Sequence, residues 1–262
     1  AGAEVGSLNI AGVRLSVRQG RIEGATADIN TGVVKLAAGQ INDLKLARPV
    51  FVVEPSGRYR ASADLSIGGG VLGQMNMGQA RAAVVATNGE MQFRDFTADI
   101  FSGRANGAAT ISLTNGGASH VVAAFSNLEI AGPVLALSQK ALPLAGRASG
   151  SVDLVFPDTD FKKASGSINT QFVGAAVAAR SDRTPISGAV ALHANNGLFQ
   201  IERVDLQTAA SHLQATGQFS FAGGSELQLD LNSTDAGELQ SVFVSSGFLG
   251  DVEDRMSEYG IG

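Results

Sequence analysis

The chain has 262 residues, a formal net charge of −5, no cysteine, no tryptophan and two tyrosines. Charged residues make up 16% of it, below the ~25% of an ordinary soluble domain. These figures exclude disulfides, thiolate metal sites and the basic, aromatic-rich footprint of a nucleic-acid binder. No apolar run reaches the ~18 residues of a membrane span. The lack of an initiator methionine or leader reads as an internal or mature segment, with any anchor outside it.

In chain order, the first clear element is Tyr59–Ile67, where Tyr59, Ala61, Ala63, Leu65 and Ile67 alternate with polar residues. A period of two gives an extended strand one dry and one wet face. Gly68-Gly69-Gly70-Val71-Leu72-Gly73 matches G-x-G-x-x-G literally. A dinucleotide site needs a buried parallel strand before that motif and a crossover helix after it. The alternating pattern here supplies neither, so the stretch reads as a flexible glycine turn. Phe101–Leu113 then alternates throughout and, fully extended, would span roughly 40 Å. Further dry faces follow at Leu144–Phe156, with Val152, Leu154 and Phe156. Others lie at Ala164–Phe172 and at Leu227, Leu229 and Leu231. Asn88-Gly89 and Asn196-Gly197 predict type I′ hairpin turns, whose two central residues need positive φ. The whole reads as an all-β, mainly antiparallel meander with a few short helices.

The chain repeats itself. Asn88–Leu113 aligns without a gap on Asn196–Phe221 at an offset of 108. Met91 falls on Phe199, Phe93 on Ile201, Ile111 on Phe219 and Leu113 on Phe221. Both copies slip the apolar phase by one, at Phe93–Phe96 and at Ile201–Val204, which predicts a bulge in each. Each copy closes on a short helix. One is expected from Pro133 to about Ala141. The other is capped by Asp235, with Glu238 three residues on and Val242, Phe243 and Phe248 on its apolar side. The chain therefore divides into an N-terminal β segment (1–80), a first repeat with a following hairpin (81–187), and a second repeat with a C-terminal tail (188–262).

Catalytic or metal chemistry finds no constellation. His120, His193 and His212 have no second ligand at metal-site spacing and fall on or beside wet strand phases. Asp158-Thr159-Asp160 reads as a hairpin tip rather than a calcium loop. Asp251, Glu253 and Asp254 read as solvating residues of a polar terminus. The reading is that of a non-enzyme without a cofactor.

The segment NGEMQFRDFTADIFSGRANGAATISL, followed by FSNLEIAGPVLALSQKALPLAGRASGSVDLVF (Phe125–Phe156), resembles the AsmA-like superfamily. This group includes the TamB-like envelope proteins of Gram-negative bacteria. The likeness covers roughly Arg81 to Phe243; the N-terminal membrane helix of that family has no counterpart in this sequence. The resemblance implies a periplasmic segment tethered to the inner membrane, a long rolled sheet with a hydrophobic groove, and a part in phospholipid movement and outer-membrane biogenesis. It also implies phospholipid acyl chains as partners, together with an outer-membrane protein or neighbouring segments of the same envelope protein, and no nucleic acid. The residues themselves leave two arrangements open, a closed sandwich or barrel and a curled sheet with an open groove; the resemblance favours the groove. Its expected wall is Phe101, Ile111, Leu113, Val152, Leu154, Phe156, Leu213, Phe219, Phe221, Leu227, Leu229 and Leu231. A β-repeat scaffold or adhesin-like module that binds proteins through its sheet edges is the competing reading.

Overall fold

A computed structural model of the chain describes residues 4–37, 39–73, 75–133, 142–174, 183–221 and 223–238. The N-terminal part holds β1 (Glu4–Val5), β2 (Leu8–Ala11), β3 (Arg14–Arg18), β4 (Arg21–Ala25), β5 (Asp28–Leu36) and β6 (Gly39–Val53). Next come β7 (Tyr59–Ile67), β8 (Gly69–Leu72), β9 (Met75–Thr87), β10 (Glu90–Ile100), β11 (Gly103–Ser112), β12 (Ala118–Glu129) and β13 (Leu144–Pro157). A 3₁₀ turn at Phe161–Lys163 leads into β14 (Ser165–Gly174) and β15 (Thr184–Pro185). The described part ends with β16 (Ser187–Asn195), β17 (Leu198–Gln207), β18 (Ser211–Ser220) and β19 (Gly223–Ser233). The nineteen strands of the described residues belong to one sheet. Among them every pairing is antiparallel except the short one between β13 and β15.

The meander is simple because strands that neighbour each other in sequence mostly pair with each other. β1, β2 and β3 act as one edge strand laid along β5 and β4. β4 and β5 together flank β6, whose other side carries β7 and β8. β9 pairs with both β7 and β8. The order then runs β10, β11, β12, β13, β14, β16, β17, β18, β19.

The two repeats share their strand bounds and register. β10 and β17 start at residues 90 and 198, and β11 and β18 run 103–112 and 211–220. The bulge expected from the phase slip lies between Phe93 and Phe96, where the partner moves from Ala109 to Gly107. In the second copy it lies between Ile201 and Val204, and the partner moves from Gly217 to Ala215. An extra residue on one strand restores the dry face after the slip. Helical backbone follows each copy, at 131–133 and at 236–238. Pro133 stands inside that first turn rather than at its first residue, a place where its missing N–H costs nothing. The rest of the first expected helix, and Val242, Phe243, Phe248 and the terminal Asp251, Glu253 and Asp254, lie outside the described residues. Asp235 caps as expected, accepting from Gly237 N at 2.8 Å and Glu238 N at 3.3 Å. The Glu238 carboxylate instead accepts from the Thr208 and Ser211 hydroxyls, tying the helix start to the β17–β18 turn.

Three local expectations are corrected. The long strand from Phe101 to Leu113 is shortened to β11, because Phe101 and Ser102 form a tight turn with φ of 45° and 59°. A phenylalanine at positive φ is strained, and its ring packs into a cluster with Leu128, Ile130 and Ala148. A Cβ added at Gly132 would fall 2.2 Å from that ring, so a smaller residue there lets it seat. Asn88-Gly89 is not a type I′ turn, since neither residue has positive φ, whereas Asn196 (48°) and Gly197 (84°) both do. Thr87 Oγ1 accepts from the N–H groups of Gly89 and Glu90. Asn88 accepts from Tyr59 N at 2.7 Å and bonds the neighbouring hairpin instead. The glycine run at 68–73 is no flexible turn: Gly69–Leu72 is β8, held between β6 and β9. A Cβ on Gly70 would come within 2.3 Å of the Gln40 carbonyl oxygen, so the close backbone approach requires glycine.

Candidate functional site

Directly opposed residues of an antiparallel pair point to the same side of the sheet. The register therefore traces the dry face from strand to strand. One row runs Ala63, Val84, Phe93, Ala109, Val121, Leu154, Gly166, Ala194, Phe199, Phe219. A second runs Phe96, Gly107, Ala123, Val152, Ile168, Leu192, Ile201, Gly217, Leu227. On the N-terminal side Leu15, Gly24, Phe51, Ala61, Ala86, Met91 and Ile111 continue the same side. The face thus crosses the sheet from edge to edge with hardly a polar residue in these rows.

The structure brings most of the expected wall onto this face. Val152, Leu154 and Phe156 alternate along β13, Leu213 and Phe219 lie on β18, and Leu227, Leu229 and Leu231 on β19. Ile111 joins them through Met91. Three expected residues sit just beyond strand ends. Leu113 follows β11 and bonds back to Gly89 O, Phe101 occupies the β10–β11 turn, and Phe221 follows β18. Phe221 is still part of the face, with its ring edge-on to Phe199 at 5.3 Å and to Phe219 at 5.7 Å.

Burial shows that no second layer closes over the face among the described residues. Inner positions of a closed sandwich would be buried on both partners. Here Val152, Leu154, Phe156, Ile168, Leu192 and Ile201 are only half-buried. Leu227 and Leu229 are 47% and 55% exposed. Besides single small residues such as Ala82, Ala105 and Ala215, two local clusters are buried. One gathers Leu128, Ile130 and Ala148, with Phe125 and Phe172 against them. The other is Ala164, Ala194 and Phe199, where Phe199 is 3% exposed and stacks on Phe219 at 5.3 Å.

Sequence reasoning missed Phe199, Phe93, Ile168 and the N-terminal part of the face. The signal is present in the sequence, since Ile168 and the Tyr59–Ile67 alternation both fall on dry phases. What was absent was the register that joins those strands to β13 and β18. On that N-terminal part an apolar hollow of about 200 Å³ is lined by Ile29, Leu46, Val50, Phe51, Ala63 and Val84.

The opposite side carries the charged residues, many of them paired. His120 meets Asp153 at 2.8 Å, and His212 meets Asp205 at 2.9 Å. Two of the three histidines are therefore cross-strand partners of carboxylates rather than merely solvated; His193 lies opposite Gln200. The His212 hydrogen bond, then that of Arg203, holds the Asp205 carboxyl below its ordinary range. Asp158 ties its hairpin tip to Gly116 N at 2.7 Å. A larger hollow of about 630 Å³ lies where β7 gives way to β8. Its charged residues are largely engaged, Arg104 with Asp99 at 3.1 Å and Lys45 with Asp28 at 3.2 Å. No group of three potential metal ligands occurs among the described residues, and none of their helices is long and apolar enough to cross a membrane.

Comparison with known proteins returns no match: no family model, curated protein or solved structure is similar enough to place the chain.

Proposed function

We propose that this chain is a periplasmic segment of an AsmA-like protein, whose apolar face shields phospholipid acyl chains during their movement between membranes. The observation that supports this reading most is the edge-to-edge apolar face left half-exposed. Monomeric proteins rarely expose a contiguous apolar surface of this extent unless something covers it. An acyl chain suits such a face chemically. It needs no hydrogen bonds, it can follow a strip across many strands, and each buried CH₂ contributes ~0.8 kcal/mol. A full-length tail would gain roughly 10 kcal/mol before ordering costs. Glycine and alanine in the rows, such as Gly107, Ala109 and Ala123, leave room for a tail between the larger Leu and Phe side chains. The polar side, with its ion pairs, would face water. In this role the sheet curls around the tail and forms part of a bridge toward the outer membrane, tethered at the inner membrane by a helix outside this chain. Its further partners are an outer-membrane protein or neighbouring segments of the same envelope protein. The chain acts without catalysis.

Native mass spectrometry of the detergent-free protein tests the reading. Incubation with phosphatidylethanolamine–phosphatidylglycerol vesicles should leave adducts of phospholipid mass on the protein. A protein that stays free of lipid under these conditions, while remaining folded, would discard the transport role and favour a scaffold that binds through its sheet edges.

A further inference from the structure

Both edges of the sheet are open among the described residues, and they match each other. At one edge β3 pairs only with β4, and at the other β19 pairs only with β18. Leu15 and Val17 of β3 are 64% and 62% exposed. They lie on the same side as Leu227 and Leu229, by the register traced above. The wet sides carry opposite charge: Arg14, Ser16 and Arg18 on β3, and Glu226, Gln228, Asp230 and Asn232 on β19. Arg14, Arg18, Glu226 and Asp230 make no ion pair among the described residues.

We propose that β19 of one copy of this chain pairs with β3 of a second copy, extending the sheet head to tail. One antiparallel register satisfies every position. It sets Arg14 opposite Asp230, Leu15 opposite Leu229, Ser16 opposite Gln228, Val17 opposite Leu227 and Arg18 opposite Glu226. Opposite charges and apolar residues directly across a strand pair are each favourable. A shift by two residues in either direction leaves both arginines without a carboxylate, and a shift by one turns the leucines to the wet side. The direction of the strands also agrees. If β1–β3, β4–β5 and β7–β8 each count as one strand and β15 is left aside, the sheet is fourteen antiparallel strands wide. An even number places the last strand antiparallel to the first strand of a copy displaced along the sheet. The dry face then stays on one side across the junction. β19 contains no proline and no lysine, two of the devices that usually keep an edge from pairing. The contact is heterologous, so it builds an open filament or a ring rather than a closed two-fold dimer. It goes beyond the lipid role and does not depend on it: the edges match whether or not a tail occupies the face.

The absence of cysteine allows a direct test on the full chain. A Val17→Cys, Leu227→Cys variant is treated with a short bis-maleimide of about 8 Å reach. Head-to-tail pairing predicts a ladder of dimer, trimer and larger species on denaturing gels. A Val17→Cys, Leu231→Cys control separates the thiols by four residues, roughly 13 Å along the strand, and should lose most of the ladder. Adding Arg14→Glu and Arg18→Glu to the reactive pair should abolish it, and further adding Glu226→Arg and Asp230→Arg should restore it. Circular dichroism of every variant confirms that the sheet remains. A folded reactive variant that stays monomeric, or that crosslinks only within one chain, overturns the proposal. So does a Leu227→Cys single variant that dimerises as readily, which would indicate β19 pairing with itself.

Discussion

Leu229→Asp separates an open face from a closed one. Full burial of a leucine side chain contributes ~1.5–3 kcal/mol. Leu229 is 55% exposed, so less than half of that term is at stake, about 1 kcal/mol. The carboxylate introduced there keeps contact with water and adds little further cost. Under a closed second layer the same change would strand a carboxylate and cost several kcal/mol. Gln228→Asp, on the wet side of the same strand, adds the same charge and serves as the control. Both variants should keep the β-sheet circular dichroism of the parent. Crosslinking to a phospholipid carrying a photoreactive acyl chain should then label the parent and the Gln228 variant and fail with Leu229→Asp. Unfolding of the Leu229 variant alone would refute the open face. Equal labelling of all three proteins would refute a lipid position at this edge.

Three further outcomes follow from the described contacts. Phe199→Ala should lower unfolding free energy by about 3–5 kcal/mol in urea titrations, because Phe199 is 3% exposed and stacks on Phe219; Leu227→Ala, half-exposed, should lower it far less. Thr31 Oγ1 is buried without a hydrogen-bond partner among the described residues, so Thr31→Val should raise stability by about 1 kcal/mol, and a loss in the same titration would mean that the hydroxyl is satisfied. Asp205 has a lowered folded pKa, so its contribution is present above the ordinary carboxyl range near ~4 and is lost as pH falls through the folded value. The urea midpoints of the parent and Asp205→Asn should therefore differ at pH 7 and converge on acidification, and a difference that persists at the acid end would show that the carboxylate's ionisation is not its source.

From Tyr59 onward the main alternating strands, their two faces and the internal repeat were legible because each is a local property of the chain. Alternation has a period of two residues, and the 108-residue offset carried even the bulges, at Phe93–Phe96 and Ile201–Val204, to matching positions. The turn at Phe101-Ser102 was illegible because it sets a phenylalanine at positive φ, inside a run whose alternation is unbroken; the Phe101 ring packs near Gly132, a contact between parts of the chain 31 residues apart. Asn88-Gly89 misled for the related reason that Thr87 and the neighbouring hairpin at Gly57 and Tyr59 compete for the same backbone and side-chain groups. Whether the dry faces meet each other or stay open could not be read from periodicity, since an apolar phase is equally compatible with a sandwich and with a single sheet. Tertiary pairing decided it: each strand joined its neighbour in one row, aligned the dry phases of the N-terminal segment with those of both repeats, and left the described part of that face without a closing layer.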